Sequence, residues 1–369
     1  MKDKLIFIGP IWTHYRSSVV NELLKINPKS IFFGASKYLS NIAINNNNNV
    51  FNIINKTSFT IFGHTFYWYH GLLNKMKIAK TDKIIISGFD PHMLHLIFIV
   101  LYLKYIKKNK FYWWSHANYG NQGRFGIFFR MIFYRLASGV LVYSKPGRDM
   151  LVENGLESRK IKVINNSINF EDYGWLNNSL STDVDKDKIF NVIYIGKLIR
   201  AKKIEILIKA TSILMKKEKK IYCTIIGDGN EEKLLKKLSH DEGLECHINF
   251  VGGKFGEDIY KFLLAADLLV IPGAVGLSIV HAFSYGIPII TSDNIKIHGP
   301  EIDLLNIGQN GDVFEGECAN SLAQKILEWR NLLCNDFNNR YSKNCVESII
   351  TNGYLPNIVA KKIFEGIKN

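Results

Sequence analysis

The chain has 369 residues, 47% of them apolar and 22% charged, values that suit two globular domains of about 150–200 residues each and exclude intrinsic disorder and fibrous repeats. The net charge is +14, and residues 1–170 carry 23 Lys and Arg against 7 Asp and Glu, whereas residues 171–369 carry 24 against 26. A first half at +16 beside a second half at −2 suits an anionic partner such as a membrane surface, a nucleic acid or a phosphorylated substrate, with plain solubility as the alternative.

Cys223, Cys246, Cys318, Cys334 and Cys345 are odd in number, form no Cys-x-x-Cys and all lie in the second half. Reduced thiols are expected, with no disulfide framework and no zinc site. Lys2-Asp3-Lys4 leads straight into the strand-like Leu5–Gly9, so no signal peptide is expected. The most apolar stretch, Met93 to Ile106, contains His95 and Lys104 and is 14 residues long, short of the ~20 that a bilayer requires. A protein that is soluble or lies on a membrane surface is expected.

Short apolar runs alternate with helical patterns. In chain order these are a strand Leu5–Gly9, a helix Ser17–Ile26, a strand Ser30–Gly34, a strand Lys83–Gly88, an apolar helix over 93–108, a strand Phe111–Ser115, a helix over 126–137, a strand Gly139–Tyr143, a helix over 146–154 and a strand Lys162–Ile164. Residues 171–188 are polar and aperiodic and read as a linker. The alternation resumes with strands at Val192–Gly196, Tyr222–Gly227, Ile248–Val251, Leu268–Pro272 and Pro288–Thr291, separated by helices over 203–216, 231–239, 257–265 and 277–285. Strand–helix alternation of this kind predicts parallel sheets covered on both faces, and hence two Rossmann-like α/β domains, 1–170 and 189–345. Ligands of such sheets bind beyond the carboxyl ends of the strands.

Several strands of the second series end in glycine: Gly196, Gly227 and Gly252. Gly196-Lys197-Leu198-Ile199-Arg200-Ala201-Lys202 places two lysines five apart just past a strand, and Gly276-Leu277-Ser278 opens a helix, where free N–H groups and the helix dipole favour phosphate. Together they describe a diphosphate site that needs no metal. Asp183-Val-Asp185 matches an Asp-x-Asp metal pattern but falls in the linker. Gly120-Asn-Gln-Gly123-Arg124-Phe-Gly126 resembles a phosphate loop, with Arg124 as its cation.

In that order, Gly196 to Ala210, Gly227-Asp228-Gly229, Phe250-Val-Gly252, Ala265 to Pro272 and Gly276 to Pro288 resemble the donor domain of glycosyltransferase family 4, the retaining sugar-nucleotide enzymes of GT-B fold. Ser115-His116 and Val163 to Ser167 resemble that family's first domain less sharply. The resemblance implies two Rossmann-like domains facing each other across a cleft, with a C-terminal helix, within 346–369, packing back on the first domain. It implies that Lys197 and Lys202 hold the donor diphosphate. Gly276, Leu277 and Ser278 offer it backbone N–H groups, Gly252, Gly253, Lys254 and Phe255 flank the base, and His116 lies under the donor sugar. Gly9 joins the donor site at the end of the first strand. His14, Arg16, Arg124, Lys145 and Arg148 follow strands of the first domain and are the candidates for the acceptor.

The chain departs from the family at Lys197, where the family usually has Arg and Lys keeps the charge but not the bidentate fork, and at the glutamate pair. Gly273 and His281 stand where the family has two glutamates eight residues apart. A neutral His281 can still exchange one hydrogen bond with a ribose hydroxyl, and Glu301 in the next loop is the candidate for the missing sugar contact. The implied reaction is retaining, metal-independent transfer from a nucleotide sugar to an oligosaccharide or lipid-linked acceptor, as in O-antigen (lipopolysaccharide) or capsule assembly, by a cytoplasmic protein peripheral to the inner face of the plasma membrane. No cofactor is expected. Phe128, Phe129, Phe133 and Tyr134 are expected to dip into that interface, with Lys80, Lys83, Lys107, Lys108 and Lys110 steering to anionic lipid. Two alternatives stay open: a catalytically degenerate GT-B subunit, and a basic nucleic-acid-binding protein. No recognised nucleic-acid module supports the latter, and no nucleic-acid partner is expected.

Overall fold

The computed structural model describes residues 3–9, 12–34, 51–61, 64–88, 92–117, 124–168, 189–217, 220–254 and 257–368. The chain divides into two compact units, residues 1–169 with 356–369, and residues 170–355. The expected linker 171–188 lies outside the described residues.

Unit 1 begins with β1 (Leu5–Gly9), α1 (Ser17–Ile26), β2 (Ile31–Gly34), β3 (Phe51–Ile53), a hairpin of β4 (Lys56–Ile61) and β5 (His64–Tyr69), and α2 (Leu72–Met76). It continues with β6 (Lys83–Ser87), α3 (Leu94–Leu101), β7 (Phe111–Ser115), α4 (Arg124–Leu136), β8 (Gly139–Val142), α5 (Lys145–Glu153) and β9 (Ile161–Val163). The apolar 93–108 segment is not one regular helix: α3 gives way to a π-helical turn over Tyr102–Lys107. A seven-stranded sheet runs in the order β3-β2-β1-β6-β7-β8-β9, and its pairings are parallel. Because side chains alternate across a strand, Ile6, Ile8, Phe111 and Trp113 enter one core with α3 and α4, while Leu5, Phe7, Tyr112 and Trp114 enter the other with α1.

Unit 2 holds β10 (Phe190–Ile195), α6 (Ile204–Lys217), β11 (Ile221–Ile226), α7 (Glu232–Asp241), β12 (Ile248–Gly252), α8 (Glu257–Leu264), β13 (Leu268–Ile271) and α9 (Ser278–Ser284). It ends with β14 (Ile289–Ser292), β15 (Gly311–Phe314), α10 (Ala319–Cys334) and α11 (Arg340–Asn352). Its sheet, in the order β12-β11-β10-β13-β14-β15, also pairs in parallel. Strand order therefore reverses at β1/β6 in unit 1 and at β10/β13 in unit 2, and ligands of doubly wound sheets sit at that reversal.

The last helix, α12 (Pro356–Gly366), packs on α1 and against β8 and β9. The expected segment 346–369 is thus too long: residues up to Asn352 belong to α11, which packs on α9 in unit 2, and the crossing begins at Pro356, where a proline restarts the helix. Val359, Ala360, Ile363 and Ile367 complete the core around α1, and the Tyr112 hydroxyl donates to the Ile367 carbonyl at 3.1 Å. Ile363 is fully buried, so Ile363→Ala should destabilise unit 1 by about 2–5 kcal/mol. Lys361→Ala on the exposed side should shift it by less than about 0.5 kcal/mol, both read from urea denaturation midpoints.

Candidate active site

Each reversal of strand order carries a cation. In unit 2 it is Lys202, in a short turn (Arg200–Lys202) that follows β10. Tyr194, buried at the end of β10, donates its hydroxyl to the Lys197 carbonyl at 2.9 Å, and the Leu198 N–H donates to the Asp228 carbonyl at 2.8 Å. The loop is thereby pinned before Lys202 turns inward. The Lys202 ammonium donates to the Ala274 carbonyl. Burial pulls its pKa down, and the Glu301 carboxylate opposes that shift. Glu301 is 3% exposed in a 3-10 turn, Pro300–Leu304.

The surroundings of Gly273 leave no room for a side chain. A Cβ there would lie 2.2 Å from the Ala201 carbonyl oxygen and 2.7 Å from the Lys202 Cα. The space that a side chain at 273 would fill is taken by the backbone of the Lys202 turn, and the Ala274 N–H donates to that same Ala201 carbonyl at 3.2 Å. Glu301 is correspondingly not an open loop residue; it is buried, with its carboxylate charge felt by Lys202.

His298, which the sequence did not single out, fastens the other side of this loop. The Val275 N–H donates to its Nδ1 at 3.1 Å, so its Nε2 carries the hydrogen that meets the Ser292 carbonyl at 2.9 Å. Burial, with Lys202 as a smaller cause, lowers its pKa. Beyond Val275, the bonded ladder of α9 starts at the Ile279 N–H, so the N–H groups of Gly276, Leu277 and Ser278 precede it and point out of the helix end. A Cβ at Gly276 would meet open space. His281 lies one turn in, its Nδ1 enclosed and its pKa drawn down to about 4 by burial. Lys197 is exposed on the preceding loop, while Gly252 ends β12, two strands along from β10, and exposed Gly253 and half-buried Lys254 follow it.

In unit 1 the cation is Arg16. Its Nη1 donates to the Ser87 Oγ at 2.9 Å and its Nη2 to the Tyr143 hydroxyl at 2.7 Å, and the guanidinium lies 5.0 Å over the Trp114 ring. It spans the carboxyl ends of β6, β7 and β8. The His116 ring stands 4.3 Å from that of Tyr143. Burial, then Arg16 and Arg130, draw the His116 pKa down to about 4. Arg130 of α4 is buried and donates to the Ala117 carbonyl at 2.8 Å, and the Tyr134 hydroxyl donates to the Ser115 Oγ at 2.6 Å. α4 therefore grips the chain on both sides of His116, across a left-handed Ala117 with φ of 60°.

Other expectations fare differently. Gly9 does not open towards a ligand: it is buried, and a Cβ on it would lie 3.3 Å from the Trp12 ring, whose Nε1 donates to the Phe33 carbonyl at 3.0 Å. Arg148 is turned towards the turn before β9, donating to the Ser158 Oγ at 2.8 Å, whereas Lys145 is exposed at the start of α5. Lys83 reaches the Ile367 carbonyl at 2.7 Å and is not a free surface cation. Phe133 and Tyr134 are core residues, 6% and 0% exposed, and of the four aromatic side chains expected at the interface Phe128 and Phe129 face outwards. The side chains of His14 and Arg124, the Gly120–Gly123 part of the phosphate-like loop, Phe255 and Asp183-Val-Asp185 lie outside the described residues.

Residues 181–345 match the family model described as Glycosyl transferases group 1. That match lies mostly within unit 2, and the chain has the GT-B fold. Among curated relatives, the Poly(ribitol-phosphate) alpha-N-acetylglucosaminyltransferase of Staphylococcus aureus is 28% identical over 169 residues, 44% of this chain and 33% of that protein. The lipopolysaccharide core biosynthesis glycosyltransferase LpsE of Rhizobium meliloti is 25% identical over 210 residues, 55% of this chain and 57% of that protein. The matches thus span about a third to just over half of these relatives' length. The structure of Anabaena HepE in complex with UDP and glucose covers 99% of both chains with a TM-score of 0.70 at 16% identity, a likeness of fold.

The histidines give a pH test. Burial draws His95, like His116 and His281, down to about 4. An unfolded histidine titrates near 6.5, so below that pH the unfolded chain binds more protons. Stability should therefore fall as pH drops from about 6.5 to about 4, by up to ~1.4 kcal/mol per unit for each imidazole. His116→Asn should flatten the slope by one such share, measured as urea midpoints across that range.

Proposed function

We propose that this protein moves a sugar from a nucleotide-diphosphate sugar to a saccharide acceptor, with retention at the anomeric carbon and without a metal. The observation that carries the reading is the Lys202 ammonium, held at the β10/β13 reversal by the Ala274 carbonyl and the nearby Glu301 carboxylate. It belongs to the same loop cluster as the outward N–H groups of Gly276, Leu277 and Ser278. A half-buried cation beside oriented N–H groups is suited to a diphosphate on which negative charge grows in the transition state. Exposed Lys197 supplies a second cation that can close on the same phosphates.

In the proposed step the bond between the anomeric carbon and the phosphate oxygen breaks, and its electron pair leaves with the nucleoside diphosphate. The acceptor hydroxyl oxygen bonds to the anomeric carbon from the same face. Its proton passes to the departing phosphate, so no protein base is required. His116, neutral above pH ~5 because its pKa is about 4, can share a hydrogen bond with a substrate hydroxyl. His281 is assigned to the ribose and Gly252 to Lys254 to the base. Arg16, with Lys145, is assigned to the acceptor.

The relatives that act on poly(ribitol-phosphate) and on lipopolysaccharide core support a lipid-linked acceptor in surface polysaccharide assembly, at an anionic membrane face. Gly273 favours a second reading, a subunit that binds nucleotide but does not turn over, since no side chain can occupy the position of the missing glutamate.

A panel of UDP-, GDP- and dTDP-sugars with membrane lipid as acceptor separates the two. Nucleotide release from one donor, unaffected by EDTA, is expected. Lys197→Ala and Lys202→Ala should each lower kcat/KM by about 10–150-fold, the ~1.5–3 kcal/mol of a charge-assisted hydrogen bond. Release abolished by EDTA and restored by Mn²⁺ would overturn the metal-free part. Nucleotide binding with no turnover of any donor would favour the degenerate reading.

A further inference from the structure

The outer surface of the helical layer on one face of the unit 1 sheet is unlike the rest of that unit. In β4 and β5, Phe59 pairs with Phe66 and Thr57 with Trp68. Alternation therefore puts Phe59, Ile61, Phe66 and Trp68 on one face of the hairpin. Phe59, Ile61 and Trp68 are 41%, 48% and 38% exposed. The Trp68 ring lies 5.7 Å from that of Phe98 on α3, which carries the apolar surface on from hairpin to helix. Along α3 and its π-helical turn, Phe98, Leu101, Tyr105 and Ile106 are 59%, 39%, 62% and 70% exposed. On α4, in the same layer, Phe128, Phe129 and Ile132 face outwards as well. Exposed apolar surface this extensive marks a contact site.

The charges around it say what kind. Between Phe51 and Arg148 the sequence holds 14 Lys and Arg against two carboxylates, Asp82 and Asp90. Asp82 is buried and paired with Lys4 at 3.4 Å. Lys104, Lys107, Lys108 and Lys110 are all exposed at the end of the apolar helix and the turn after it. A second copy of so basic a unit would be repelled, whereas an anionic bilayer attracts the lysines and accepts the apolar side chains.

We infer that the β4–β5 hairpin and α3 with its π-helical turn form the membrane-docking face of unit 1, inserting Phe59, Ile61, Trp68, Phe98, Tyr105 and Ile106 among anionic lipids. This deepens the proposed function by naming the surface that meets the membrane, and it rests on that reading only for its purpose. It replaces α4 as the main inserting element, because Phe133 and Tyr134 of that helix are buried in the core.

Flotation of the whole chain with vesicles needs no substrate, so its outcome is independent of the transferase reading. The chain should float with phosphatidylcholine vesicles containing phosphatidylglycerol, and less so as salt rises. It should not float with phosphatidylcholine alone. Phe98→Ser/Tyr105→Ser/Ile106→Ser should abolish flotation. Lys104→Gln/Lys107→Gln/Lys110→Gln should weaken partitioning by about fivefold per lysine, the scale of a basic residue near an anionic surface. Phe337→Ser, at an exposed residue of unit 2, should change nothing. These positions are exposed, and unchanged melting temperatures would verify that the variants fold. Equal flotation with both vesicle types, flotation with neither, or flotation untouched by both triple variants would overturn the inference. So would a chain that sediments as a dimer and becomes a monomer in the apolar triple variant, which would make the face an interface between copies.

Discussion

A parallel strand hydrogen-bonded on both sides and covered by helices on both faces leaves a ligand only its ends. That constraint governs both units. Each sheet reverses its strand order once, at β1/β6 and at β10/β13, and the loops leaving the carboxyl ends there diverge and open a place for chemistry. Both openings hold a cation anchored by short-range acceptors: Arg16 on Ser87 and Tyr143, and Lys202 on Ala274 with Glu301 nearby. A partly buried cation is poorly hydrated, so it has more to gain from a substrate phosphate than a surface lysine does.

Gly273 and Glu301 belong to one arrangement. With no side chain at 273, the turn carrying Lys202 moves in until its backbone touches the β13 loop. The ammonium donates to the Ala274 carbonyl, burial lowers its pKa, and a nearby carboxylate opposes that shift. Glu301 provides that carboxylate from the loop after β14. His298 and Gly299 complete the enclosure through bonds to the Val275 backbone on either side of its peptide. Position 273 thus carries no side chain, and the carboxylate near the cation is the buried Glu301.

The strands were legible because each apolar run ends in glycine, proline or a polar residue, and the helices between them keep a 3.6-residue period. The same reasoning passed over β3, β4, β5, α2, β15, α10 and α11. In β4, Phe59 and Ile61 alternate with Ser58 and Thr60 but are exposed, so alternation there does not report a core. Lys202 was readable from its spacing past Gly196. The role of Glu301 was not, since it depends on where the Lys202 turn comes to rest. The lowered pKa of His116 comes first from burial and then from Arg16 and Arg130, the former 100 residues away in sequence. For α4 the outward Phe128 and Phe129 and the inward Phe133 and Tyr134 differ by about one turn, and only the packing on β7 separates them.

The central claim is that Lys202, set at the β10/β13 reversal, binds a diphosphate. Titration calorimetry with UDP, GDP and dTDP in EDTA, on the whole chain and on Lys202→Gln, tests it most directly. The account predicts that at least one nucleoside diphosphate binds the unaltered chain without metal, and that Lys202→Gln weakens it by about tenfold or more. Equal affinity in the two proteins, or binding that appears only when a divalent cation is added, would contradict it.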